Sequence, residues 1–202
     1  MVTSGTETRV DILRHGEPDG EDCFRGSGID HPLTKLGWKQ MQSAVKKNND
    51  WDLIITSPLI RCHDFATKLA DEMKLQLQVD DCFKEIGFGT WEGRTKEDIK
   101  INDSLAYKRF RDDPVRNRPV GAEPLEKFTN RVWHRLEKLN SEHQGKRILL
   151  VSHAGVIRVV TAKTMGLALN DVYNQLKIEY AARVSCLFND KGRAKLLLPS
   201  AL

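Results

Sequence analysis

The sequence predicts an α/β protein, a three-layer α/β/α sandwich on a largely parallel sheet. Strand and helix signals alternate through most of the chain, the pattern left by crossover connections between parallel strands. Two short apolar runs, Val10-Asp11-Ile12-Leu13 and Ile148-Leu149-Leu150-Val151, read as buried strands. Each opens into a histidine at a glycine-containing turn, Arg14-His15-Gly16 and Ser152-His153-Ala154-Gly155. In open α/β sheets ligands bind at the carboxyl ends of strands, so His15 and His153 are expected at the same edge.

The elements follow in order. A Gly- and Asp-rich loop from Glu17 to His31 comes after the first strand, and a helix begins beyond Pro32-Leu33-Thr34 with Thr34 as its N-cap. Asp52 to Thr56 is the second strand. In the next helix Ser57 is placed to cap, Pro58 suits the first position, and Leu59, Cys62, Ala66, Leu69 and Met73 repeat at three-and-four spacing. Leu77-Gln78-Val79 is a third strand. Glu85 to Arg94 is a glycine-punctuated loop, and Thr95 with Asp98 matches a capping box for a short helix. Asp112 to Glu123, polar and proline-containing, is an exposed connection. A long amphipathic helix then runs through Leu125, Phe128, Val132, Leu136 and Leu139. After the strand ending at Ser152 come a helix from Val156 to Gly166 and two strand-like segments, Lys177–Phe188 and Ala194–Leu198.

At 202 residues, 40% hydrophobic and 30% charged, the chain fits one globular domain over 1–202. No apolar run approaches the ~20 residues of a membrane span. The polar start, Met1 to Thr8, lacks the apolar core of a secretory signal, so a cytoplasmic protein is expected. Cys23, Cys62, Cys82 and Cys186 show no CxxC or CxxH spacing, which argues against zinc and for a reducing compartment. A net charge of +4 is mild. The basic stretches Tyr107–Arg111 and Arg116-Asn117-Arg118 are interrupted by Asp112, Asp113 and Pro114, so a solvated surface is expected there and no nucleic-acid partner. A modest positive field suits steering of phosphorylated small molecules.

Two histidines at one sheet edge, one beside Arg14, suit binding and transfer of an anion. Arg61 lies in the first turn of the helix after the second strand, where the helix dipole and free amides favour anions and a guanidinium grips phosphate oxygens in pairs. Glu85 stands in Lys84-Glu85-Ile86-Gly87-Phe88-Gly89-Thr90-Trp91-Glu92-Gly93, where Phe88 and Trp91 are placed to desolvate a carboxyl and fit it to donate a proton. Glu92 in the same segment is its rival for that role.

In this order the segments resemble the histidine phosphatase, or phosphoglycerate mutase-like, superfamily over nearly the whole chain. Arg14-His15-Gly16 is similar to its signature, Pro32-Leu33-Thr34 with Gly37 to its Pro-Leu-Thr-x-x-Gly element, and Ser57–Arg61 to the segment supplying a second phosphate arginine. Glu85 with Gly89–Gly93 is similar to its proton-donor segment, and Ser152–Gly155 to the one carrying the second histidine. The resemblance implies a mostly parallel six-stranded sheet. It also implies catalysis by His15, Glu85 and His153, with Arg14, Arg61, His153 and Ala154 binding the phosphate. His15 would attack phosphorus, the cationic side chains would bind the equatorial oxygens, and Glu85 would protonate the leaving alcohol before water hydrolyses the phosphohistidine. No metal or other cofactor is expected, because fixed cations replace magnesium.

The chain departs from the family pattern at Pro18, where Thr or Ser is common, and at Glu21, where Asn is common. Glu21 is expected to point away from the phosphate. Cys62 stands where alanine is common and is expected to act as a small buried hydrophobe rather than a reactive thiol. The paired-arginine insertion of the mutases has no counterpart, and no second basic cluster is expected, which favours a phosphatase acting on a small phosphorylated metabolite. Phe24–Asp30, Leu33-Thr34 and Gly37–Met41 look most like the α-ribazole phosphatases of cobalamin biosynthesis, as does Gly121-Ala122-Glu123 despite Pro124 after it. The competing functions are a phosphoglycerate mutase and a non-catalytic phosphate-binding regulator.

Overall fold

The computed structural model describes residues 7–47 and 49–197. Its six strands are β1 (Thr8–Arg14), β2 (Leu53–Thr56), β3 (Leu77–Val79), β4 (Arg147–Ser152), β5 (Arg183–Phe188) and β6 (Ala194–Leu197). They form one sheet in the order β3-β2-β4-β1-β5-β6, parallel from β3 to β1 and antiparallel beyond. Seven helices accompany them among the described residues: α1 (Lys35–Val45), α2 (Ile60–Met73), α3 (Lys96–Asn102), α4 (Ser104–Asp112), α5 (Leu125–Glu142), α6 (Ala154–Met165) and α7 (Leu169–Gln175).

The three layers follow from alternation along the buried strands. Val10, Ile12, Leu53, Ile55, Ile148 and Leu150 face a core completed by α5 and α6 through residues such as Phe128, Leu136 and Val159. Leu13, Ile54, Leu149 and Val151 face the other way, onto Met41 of α1 and Phe65 and Leu69 of α2. A small third cluster of Trp91, Ile99 and Phe110 holds α3 and α4 together away from the sheet.

Thr34 caps α1 as expected, its hydroxyl accepting from the Gly37 amide at 2.9 Å. Ser57 does not cap α2. The N-cap is Leu59 and the helix starts at Ile60, which leaves Pro58 outside; the Ser57 hydroxyl accepts from the Leu59 amide at 3.3 Å and meets His153 across the sheet edge. α4 and α7 were not foreseen. Lys177 to Ala182 is loop rather than strand: it crosses the carboxyl edge with Ala181 at φ 55°, and its Ile178 carbonyl accepts from Arg14. α6 starts two residues earlier than predicted and is closed by Gly166 in the left-handed region. Leu198 lies outside the described residues. Among them, no helix is long and apolar enough to cross a membrane. All four cysteines are free.

Candidate active site

Register alone brings the histidines together. β1 and β4 are neighbours, Arg14 pairs with Ser152, and the His15 amide donates to the Ser152 carbonyl at 2.9 Å. Their next residues are the two histidines, whose ring centroids lie 5.3 Å apart at an interplanar angle of 64°.

Four glycines allow the close approaches around them. A Cβ on Gly16 would stand 2.2 Å from the Gly37 carbonyl oxygen, and one on Gly37 would stand 2.1 Å from the Glu17 oxygen. The histidine loop and the start of α1 therefore lie backbone to backbone, which explains why Pro-Leu-Thr-x-x-Gly accompanies Arg-His-Gly. Thr34 completes the brace by donating to the Glu17 side chain at 2.9 Å. On the other wall, a Cβ on Gly155 would lie 2.2 Å from Glu85 Oε1. The missing side chain admits the Glu85 carboxylate to the amino end of α6, where the Gly155 amide donates to Oε2 at 3.3 Å and the Ile86 amide to Oε1 at 3.0 Å. Gly26 likewise makes room for Glu92, which is discussed below.

A cleft of about 380 Å³ is lined by Arg14, His15, Arg61, Glu85 and Ala154. Arg25, Lys96, Arg158 and Lys177 also reach it, against only Asp22 and Glu179 besides Glu85. The surface is net cationic. Arg61 is almost wholly buried; its Nη1 donates to the Ile29 carbonyl at 2.9 Å and its Nη2 to Gly26 at 2.8 Å. Arg14 donates to the Ile178 carbonyl and stacks on Tyr180 at 4.1 Å. Both guanidinium groups keep a buried Nε–H with no partner among the described residues.

His15 Nδ1 lies 2.7 Å from the Gly16 carbonyl oxygen. A carbonyl only accepts, so Nδ1 carries the proton and Nε2 keeps its lone pair. Burial, then Arg61 and Arg14, push the His15 pKa well below the ordinary histidine value, so the ring is neutral at pH 7. His153 is lowered by burial and by Arg61 as well. It is fully buried, and its Nε2 lies 2.8 Å from the Ser57 hydroxyl, with the Cys62 sulfur 3.7 Å away. His153 thus meets the His15 ring but adds no surface to the cleft.

Glu92 is not at the cleft. Its Oε1 accepts from the Ser27 amide at 3.1 Å and the Phe88 amide at 2.9 Å, clasping the 25–31 loop to the 85–94 loop. Trp91, expected near Glu85, is instead buried in the α3–α4 cluster and donates to Asp103. Glu21 is exposed and outside the cleft, and Pro18 makes a bridge to Leu33. Cys62 is buried, and burial pushes its thiol pKa up, as befits a packing residue. Sequence reasoning missed Ser57 as the partner of His153, along with Arg25, Arg158 and Tyr180 at the cleft. Ser57 and Arg25 stand in segments read for other features, and Arg158 and Tyr180 stand in no motif.

A three-layer sandwich with two histidines at the carboxyl ends of its central strands, beside buried arginines, defines a cationic-cleft α/β class. A sequence model of the histidine phosphatase superfamily, branch 1, matches residues 10–199. The bifunctional protein Rv2228c of Mycobacterium tuberculosis is 31% identical over 160 residues, 77% of this chain and 44% of that protein, so the chain spans less than half of its length. The uncharacterized phosphatase PhoE of Bacillus subtilis is 31% identical over 162 residues, 79% of this chain and 78% of that protein. The α-ribazole phosphatase structure from Shigella flexneri superposes with a TM-score of 0.81 at 26% identity, covering 96% of each chain. The chain belongs to the histidine phosphatase superfamily, and phosphatases are named among both its sequence relatives and its structural neighbours.

Proposed function

We propose that this protein, as one histidine phosphatase domain in a reducing cytoplasm, hydrolyses phosphomonoesters of a small metabolite through a phosphohistidine, without a metal. The observation that carries this reading is His15, its Nδ1 fixed on the Gly16 carbonyl, beside two arginines that each keep an Nε–H with no partner among the described residues. Nε2 attacks phosphorus, the ester P–O bond breaks, and the alcohol takes its proton from Glu85. Attack leaves a positive ring, which the Gly16 carbonyl stabilises through Nδ1–H. Arg14 and Arg61 hold the phosphoryl oxygens, with Ala154 at the cleft wall and His153 edge-on to His15. Glu85 then takes a proton from water as the water attacks phosphorus; the P–N bond breaks and neutral His15 returns.

α-Ribazole 5′-phosphate is the first natural substrate to try, because a structural neighbour is named for that activity and the 25–41 stretch resembles those enzymes. Phosphate release should be insensitive to EDTA and should exceed interconversion of 2- and 3-phosphoglycerate. His15→Ala should abolish both release and the acid-labile phosphoenzyme. Efficient interconversion with negligible phosphate release would establish the mutase, and a folded wild-type protein that releases no phosphate and forms no phosphoenzyme would establish the binding regulator.

A further inference from the structure

Beside the cleft opens a chamber of about 160 Å³ that shares Phe24, Glu85, Phe88, Lys96 and Arg158 with it. Because Glu85 belongs to both, a group in the chamber lies against the proposed proton donor, where the alcohol half of a monoester must sit. The chamber's walls are aromatic. Phe24 and Phe88 lie 4.9 Å apart between centroids, and Phe110 is 6.3 Å from the first and 6.2 Å from the second, meeting both edge to face. Three rings at these separations pack on one another and present an aromatic wall against which a flat group can lie. A cavity of ~150 Å³ accepts one benzene ring, so the space matches a single ring.

The remaining lining is polar and unsatisfied. Tyr173 lines the chamber, and its hydroxyl is buried without a partner among the described residues. Arg158 donates to the Leu176 carbonyl through Nε and Nη2, leaving Nη1, and lies over the Tyr173 ring at 5.4 Å; neither it nor Arg111 has an ion-pair partner among the described residues. Lys96 is neutralised by Asp22 at 3.5 Å. Two cations without an ion-pair partner among the described residues, at the border of an aromatic wall, suit an acid on a ring that lies against it. Arg111 on α4, Arg158 on α6 and Lys96 on α3 come from three separate segments, so the second basic cluster that sequence reasoning did not find is assembled by the fold.

We propose that the chamber is the leaving-group subsite and that the alcohol it takes is a single flat ring bearing a carboxylate or similar acid. The ring is held by Phe24, Phe88 and Phe110, and the acid by Arg111 and Arg158 with the Tyr173 hydroxyl as a further donor. This rests on the phosphatase reading and narrows it to a substrate class.

The test is steady-state phosphate release from 4-carboxyphenyl phosphate, phenyl phosphate, 4-nitrophenyl phosphate and α-ribazole 5′-phosphate. Wild-type kcat/KM for the carboxylated ester should exceed that for phenyl phosphate about tenfold, the worth of one charge-assisted hydrogen bond. In Arg111→Ala, which removes an exposed side chain, that ratio should fall close to one. Tyr173→Phe should lower the ratio too. His15-dependent hydrolysis of 4-nitrophenyl phosphate, with a ratio near one in the wild type or unmoved in Arg111→Ala, overturns the subsite and leaves the phosphatase standing. A clear preference for neutral α-ribazole 5′-phosphate does the same. Absence of His15-dependent hydrolysis of every ester overturns both.

Discussion

Gly155→Ala isolates the proposed proton donor without touching it. The added methyl group would stand 2.2 Å from Glu85 Oε1 and 3.0 Å from Phe128 Cζ. A tolerable contact lies about 1 Å further out, and the carboxylate is the movable partner, so Glu85 should be displaced by roughly that amount. Misplacement of a reacting group by ~1 Å costs ~10²-fold, inside the 10²–10⁴ range of general acid catalysis. Turnover of an alkyl phosphate should therefore fall about a hundredfold, or about 2.7 kcal/mol in the barrier. An activated aryl phosphate, whose leaving group scarcely needs a proton, should lose far less. Stability should change little, because Ala gains up to about 1 kcal/mol over Gly in a helix and this offsets the pressure on Phe128. The assay is kcat on both substrates for Gly155→Ala, Glu85→Gln and the double variant, with thermal unfolding of each. Action through Glu85 requires the double variant to be no slower than Glu85→Gln alone. Fully multiplicative losses, or equal losses on both substrates, would refute the reasoning.

Other outcomes follow from the same geometry. Glu85→Gln, which keeps the size and one of the two oxygens that accept from the Ile86 and Gly155 amides, should slow alkyl phosphates more than activated aryl phosphates. Glu92→Ala, which releases the Ser27 and Phe88 amides, should instead lower the melting temperature and slow both classes alike; the reverse assignment would bring Glu92 forward as the acid. Stability should fall as pH drops below about 6.5. The unfolded chain protonates His15 and His153 there while the folded protein keeps both neutral, so the unfolded state binds more protons throughout the window down to the lowered folded pKa values. Urea unfolding at pH 7 and pH 5 checks this, and His153→Asn should flatten the dependence. Stability that stays flat or rises on acidification would contradict it.

The fold was legible where residues serve local rules. Short apolar and strand-like segments marked five of the six strands closely, and Thr34 and Thr95 marked helix starts because capping is a local transaction. The adjacency of β1 and β4 followed from the matching ends of their runs. Features decided across the fold were hidden. Ser57 has the composition of a cap, but its hydroxyl meets His153, 96 positions away. Ile178 and Tyr180 alternate like a strand, yet the segment is turned by contacts with Arg14 and His15. α4 escaped notice because Leu105 faces solvent, at 60% exposed, while Phe110 packs inward, so its apolar periodicity is weak. Glu85 and Glu92 differ by which glycine makes room for each, a matter of tertiary approach.

The separate core of Trp91, Ile99 and Phe110 has a consequence for how this enzyme changes over time. The proposed phosphoryl chemistry rides on the two central strands, where a shift of a few tenths of an ångström disturbs everything packed above and below. The side chamber takes Phe110 and Arg111 from α4 and Lys96 from α3, an excursion with its own small core. Substitutions there would remodel the proposed leaving-group subsite while leaving His15 and His153 on the central strands in place.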